Sequence, residues 1–370
     1  MSEMTDRERW LGTLRFEKVD RVPDLEFFAW NETIERWANE GMEGYTGFDN
    51  YLGTDEVGWG PHPMVATGMY PSFERKVLED KGDHVIVRDA EGAICEESKV
   101  HASIPRYIKF AIETRADWEK FAAERLDPEN PDRVPDNIDD ICAQCGEDRT
   151  FPALIFSTSL YGKIRNWMGV ENLSLALYDD PAWVEEMMEH LTKLCLRMHS
   201  KLAGKCTIDF TIWWEDMCYR SGPLISPAML DKLMVPRYKR ITDHLREELG
   251  CEFNMLDSDG NIHELVGAWL KGGINLMFPI EVAHTDAYRI SREFGKRVAM
   301  RGGFDKRAQA AGPAAIDAEF ERIRPLFEKG GFIPHTDHAV PPDVSFENYL
   351  YYRRKKCEFI GKEWVDPRTK

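Results

Sequence analysis

The chain has 370 residues, of which 43% are hydrophobic and 31% charged, a balance that suits a globular protein able to bury one large core or two modest ones. Its formal charge of -17 argues against a nucleic-acid partner and against an anionic membrane surface, because both need clustered Lys and Arg. No run of about 18 apolar residues occurs, and the opening MSEMTDRERW has no apolar stretch of a secretory leader, so a cytoplasmic protein with no membrane partner is expected.

In chain order, MTDRERWLGTLRFEKVD predicts a helix, with Thr5 and Glu8 at capping-box spacing. RVPDLEFFAW, residues 21–30, is a short strand-like run. Residues 31–150 are irregular. Within them HVIVRDAEGAICEESKV reads as a hairpin turning at Asp89–Gly92, and DPENPDRVPDN (127–137) as a surface loop. Cys142 and Cys145 form a lone CxxC. Without a second pair it reads as a helix turn rather than a zinc site, and the eight scattered cysteines read as free thiols.

After residue 150 the pattern becomes regular. Strands are expected at TFPALIFSTS, CTIDFTIWWED, CEFNMLDSDGN, INLMFPIE, RVAMRGG and FIPH. Helices are expected at 170–204, with a new start at Asp180 and Pro181, and at 226–250. The second of these opens on Ser226 and Pro227 and stops at Gly250. Further helices follow at 262–273, 286–295, 313–331 and 344–361. Continuous apolar strands alternating with helices predict a parallel sheet covered on both faces. About seven such units, with no GxGxxG after any strand, favour a (β/α)8 TIM barrel over a doubly wound sheet. The whole chain, 1–370, then reads as one barrel domain, with 31–150 decorating its mouth.

A barrel of this type carries its chemistry at the C-terminal ends of its strands. Those ends hold Trp213, Trp214, Glu215 and Asp216; Asp257, Ser258 and Asp259; Glu281; Arg301, Asp305 and Lys306; and His335, Asp337 and His338. Carboxylates and histidine on one rim could bind a divalent metal, could form an acid/base set, or could cap the following helices. For DSDGN the turn-and-cap reading leads. Glu281 and His338 lie just beyond apolar strands and are the stronger site residues. His335 reads as a hydrogen-bonding or packing residue close to substrate. Trp213 and Trp214 must alternate in facing, so one is core and the other can wall a substrate.

MTDRERWLGTLRFEKVDRVP, DSDGNI, FPIE, GGFDKR and GGFIPHTDHAVPPDVSFENY resemble the uroporphyrinogen decarboxylase superfamily, which includes the cobalamin-dependent methyltransferases. The resemblance covers nearly the whole chain and implies the same barrel. Decarboxylases of the superfamily carry an Arg-rich segment after the first strand. Here that place reads DLEFFAWNETIERW, acidic and aromatic. In the methyltransferase branch a His, a Cys, a later Glu and a late Cys hold zinc. Laid on this sequence they fall on Asp257, Asp259, Glu281 and His338. Loss of the thiolates leaves a harder ligand set, suited to polarising an ether oxygen.

The resemblance therefore implies a methyltransferase moving a methyl group between a small substrate, an aryl methyl ether by preference, and the corrinoid of a partner protein. Asp257, Asp259, Glu281 and His338 would hold zinc. Glu215 would be a further ligand or proton donor and Asp257 would share in catalysis. Trp213, Trp214, Arg301 and His335 would face substrate. A homodimer is possible by the same resemblance. A metal-free decarboxylase using Asp257 or Glu215 as acid and a non-catalytic binder are the alternatives.

Overall fold

The computed structural model describes residues 3–55, 57, 60–100 and 105–369. The N-terminal Met1 and Ser2, and parts of the 31–150 region, lie outside them. Six strands form one parallel sheet: β1 (Leu154–Phe156), β2 (Phe210–Trp214), β3 (Phe253–Asp257), β4 (Leu276–Ile280), β5 (Ala299–Phe304) and β6 (Phe332–Thr336). They lie side by side in sequence order. Helices follow them on the outside, including Pro181–His199, Val235–Leu249, Pro313–Lys329 and Phe346–Ile360. The result is the TIM barrel that the alternation predicts.

Alternate residues of these strands fill two cores. Leu154, Phe210, Phe253, Met255, Leu276, Phe278, Ala299 and Ile333 meet inside the barrel. Trp10 and Leu14 of the first helix, Asp6–Leu14, join the same cluster. The opposite faces, among them Trp213, Met277, Met300 and Phe332, pack beneath the helices. Period-two alternation thus sorts Trp213 outward and Trp214 inward.

Two staves of the barrel are not regular strands. The predicted strand at 21–30 is extended but makes only one bridge among the described residues, Ala29 to Val340. Buried cations tie it down instead. Arg353 donates to both oxygens of Asp24 at 2.8 Å and to Glu26 at 2.9 Å, and Lys356 donates to Glu26 at 2.7 Å and to the Leu25 carbonyl. Residues 61–69 lie close to β1: Thr67 donates to the Ser157 carbonyl, and the Leu154 amide reaches His62. Their free carbonyls are taken by Arg133, whose guanidinium donates to Ala66 at 2.8 Å and Gly68 at 2.7 Å, and also to Asp127 and Arg125. A backbone without ladder partners needs such substitutes. The 127–137 segment, read as a surface loop, therefore contributes a buried structural arginine.

Local signals hold where they are local. Thr5 and Glu8 form the capping box, Asp180 and Ser226 cap their helices, and Gly250 stops the helix before it at φ 68. The first helix ends at Leu14, earlier than predicted, where Phe16 takes a positive φ of 59. The hairpin His84–Arg88/Ile94–Ser98 forms as expected. It lies within a four-stranded antiparallel sheet that also contains Lys76–Asp80 and Arg106–Lys109. All eight cysteines are buried and unpaired by disulfides, and burial pushes the Cys145 thiol up to about 11. No helix of the described residues is long and apolar enough to cross a membrane.

Candidate functional site

Three strand ends bring Asp259, Glu281 and His338 together. One ligand atom from each lies within 4.8 Å of the others, the only such metal-type group among the described residues. Asp259 sits two residues beyond β3, Glu281 one beyond β4 and His338 two beyond β6. The short turn after β3 makes this possible. Gly260 has φ 80, and a Cβ there would come within 2.8 Å of the Tyr219 backbone. Its amide donates to Glu281 Oε2 at 2.7 Å. DSDGN therefore serves both readings at once: a glycine-dependent turn that also presents a carboxylate.

His338 Nε2 lies 3.3 Å from Asp259 Oδ2, and this contact, against the opposing effect of burial, leaves the imidazole above its usual range. Lys306 Nζ lies 3.4 Å from Glu281 Oε1 and is a resident counter-charge. The His338 ring meets Phe27 edge-on at 5.5 Å, and Phe28 and Trp30 continue this aromatic strip to the surface. Asp337, between the two histidines of the segment, is a brace. Its carboxylate accepts from the amides of Val282 and Lys306 at 2.9 and 3.1 Å and so joins the ends of β4, β5 and β6.

Asp257, expected as a fourth ligand, lies outside the three-residue group. It ends β3 facing the barrel interior. Burial, with Asp259 and Asp216 nearby, pushes its carboxyl up to about 8. Arg301 also faces the interior, its guanidinium 4.9 Å from the Phe278 ring and 5.6 Å from the Trp10 ring. His335 packs 5.8 Å from Phe278. Trp214 is half-buried at the mouth, with Arg165 over its ring at 5.1 Å.

Two expected site residues face the other way. Trp213 is fully buried against Tyr238 in the helix layer. Glu215 follows the same parity and is enclosed. Its carboxylate accepts from Ser159 Oγ, the amides of Leu160, Tyr161 and Gly162, and Tyr238 Oη, at 2.7 to 3.0 Å. With five donors filling its oxygens, it fixes the turn after β1 and is neither ligand nor proton donor at the rim. The same alternation that separates Trp213 from Trp214 carries this signal in the sequence. Phe27 is a neighbour that the expected rim set omits, and Lys306, placed at a strand end but given no role there, is the counter-charge of Glu281.

Residues 100–352 match the family described as uroporphyrinogen decarboxylase (URO-D). The chain belongs to that family. A solved structure of a methyltransferase from Methanosarcina mazei aligns with a TM-score of 0.61 at 14% identity, covering 96% of this chain and 99% of that one. No curated protein matches the sequence. Likeness at that identity shows a shared fold.

Proposed function

We propose that the protein is a metal-dependent methyltransferase, moving a methyl group between a small substrate, an aryl methyl ether by preference, and the corrinoid of a separate protein. The observation that carries this reading is the convergence of Asp259, Glu281 and His338 at the mouth of the barrel. Two carboxylates and an imidazole are a hard ligand set, open on one side. Zinc bonds of about 2.0–2.2 Å need donors roughly 3.4 Å apart, so the group requires only a modest contraction. Lys306 would have to give way from Glu281, which a flexible lysine at the start of a helix can do.

Zinc, or another divalent ion, bound there supplies a Lewis acid for the substrate oxygen that loses or gains the methyl group. The chain's own residues do the rest. The Gly260 amide orients Glu281. Phe27, Phe278 and Trp214 wall a flat substrate, and the exposed Phe28 and Trp30 offer the partner an apolar edge beside His338. The methyltransferase neighbour supports the same reading.

A metal-free decarboxylase is the second reading, favoured by one arrangement: Arg301 inside the barrel with Asp257 in electrostatic reach. The test is incubation with cob(I)alamin and 2-methoxyphenol, following methylcobalamin by absorbance. Turnover that stops with a chelator, returns with zinc and is lost in His338→Ala supports the proposal. Turnover indifferent to chelator contradicts it, and carbon dioxide release from a carboxylic substrate by metal-free protein moves the second reading to first place.

A further inference from the structure

We propose that the barrel interior below the rim holds the carboxylate of a small substrate, with Arg301 as its counter-ion. β5 places Ala299 in the interior core, and Arg301, two residues on, shares that face. Its guanidinium lies over the rings of Phe278 and Trp10, which fix its place. Its one hydrogen bond among the described residues goes to the Met255 thioether at 3.4 Å, a weak acceptor. Its Nε is buried with no partner.

Buried arginines elsewhere in the chain have the ends of their guanidinium groups paired, although the Nε of Arg149 and of Arg353 also lacks a partner. Arg353 pairs with Asp24 and Glu26, Arg149 pairs with Asp209 at 2.7 Å, and Arg133 is filled by carbonyls. Arg301 forms no ion pair among the described residues. Burial pulls it down to about 10, an effect that the attraction of Asp257 and Asp49 only partly offsets. An unpaired guanidinium inside a barrel is costly unless a ligand completes it.

The surroundings define that ligand. Ile212, Trp214, Asp257, Phe27 and Arg301 face inward yet remain half-buried, and Phe156 is 50% exposed, so the interior is open from the mouth. His335, on the strand beside β5, points its Nδ1 at the Thr336 carbonyl at 2.7 Å. A carbonyl only accepts, so Nδ1 carries the hydrogen and Nε2 is a bare acceptor, buried and without a partner. The pair asks for one anionic group and one nearby O–H or N–H donor. The carboxylates of Asp259 and Glu281 at the rim disfavour a dianion such as phosphate. The ligand class is an aromatic or similarly flat monocarboxylate bearing a hydroxyl or amino group. The inference rests on the proposed function only for where substrate enters, and the anion site itself needs no metal.

Benzoate and benzamide, equal in shape and different in charge, are the probes, measured by calorimetry on chelator-treated protein. Saturable benzoate binding is expected, with benzamide at least roughly tenfold weaker and Arg301→Met weakening benzoate roughly ten- to a hundredfold. Arg301→Met should unfold at the parent's temperature or above it, because an unpaired charge is removed. His338→Ala should bind benzoate as the parent does, even if the metal reading fails. Three results would overturn the site: equal binding of benzamide, parent-like binding by Arg301→Met, or benzoate binding that requires metal and is lost in His338→Ala. Absence of any benzoate binding would overturn it too. If Arg301→Met does not fold, the benzoate-to-benzamide ratio on the parent decides.

Discussion

The charges around Asp24 and those around Asp259 use the same residue types on the same barrel, yet they are partnered in opposite ways. Asp24, Glu26 and Asp55 are met by Arg21, Arg353, Lys356 and Lys362, with contacts from 2.5 to 3.2 Å and little or no exposure. These cations hold Asp24 well below the usual carboxylate range against the cost of burial. At the rim, Asp259 and Glu281 converge with one lysine and one histidine in contact, and the Asp259 side chain is 42% exposed. The closed cluster replaces missing ladder bonds along an irregular stave. The open cluster does no comparable structural work. A group of charges that neutralises itself reads as structure, and one that leaves demand unmet reads as a site.

The contrast can be broken by mutation. Arg353→Leu strands Asp24 and Glu26 without their main partner and should cost about 3–5 kcal/mol in urea unfolding, leaving metal content untouched. A loss below about 1 kcal/mol would remove the structural role. Acid tests the fold behind the barrel next. His199 is fully buried beside Cys195 and the Phe156 carbonyl, with its pKa lowered to about 4 from 6.5, mainly by burial. The unfolded chain therefore takes up this proton at higher pH than the folded one. Stability should be full above pH 6.5 and fall by about 3 kcal/mol as pH drops toward 4, a slope that His199→Gln should flatten.

Glu215→Gln removes the acceptor charge from five donors and should cost about 1–3 kcal/mol without changing metal content. Metal loss in a folded Glu215→Gln would return this residue to the rim chemistry. Smallest of all, Glu281→Gln relieves like charge and retains an oxygen for the Gly260 amide. In metal-free protein its stability should stay within about 1 kcal/mol of the parent. A cost as large as that of Arg353→Leu would erase the distinction between the clusters.

Sequence carried the barrel where its signals are local or periodic. β4 is an unbroken apolar run, and the caps at Thr5, Asp180 and Ser226 are side-chain contacts within three residues. It failed where the partner is remote. The stave at 21–30 depends on a helix more than 300 residues away, and the buried role of Arg133 depends on carbonyls at 66 and 68. The strand Lys76–Asp80 is exposed along its whole length, so no apolar alternation marks it. At the site, strand ends located Asp259, Glu281 and His338. Facing was decided by parity, which places Trp214, Asp257 and Arg301 inward and Trp213 and Glu215 outward. Parity is written in the sequence once the strand register is known, and the register came from the fold.

Whether the rim triad is a metal centre is decided by elemental analysis of the purified protein, beside folded His338→Ala and Glu281→Ala variants. About one zinc or similar divalent ion per chain is expected in the parent, lost in both variants. A parent free of metal after incubation with zinc, or variants that retain it in full, would contradict the claim.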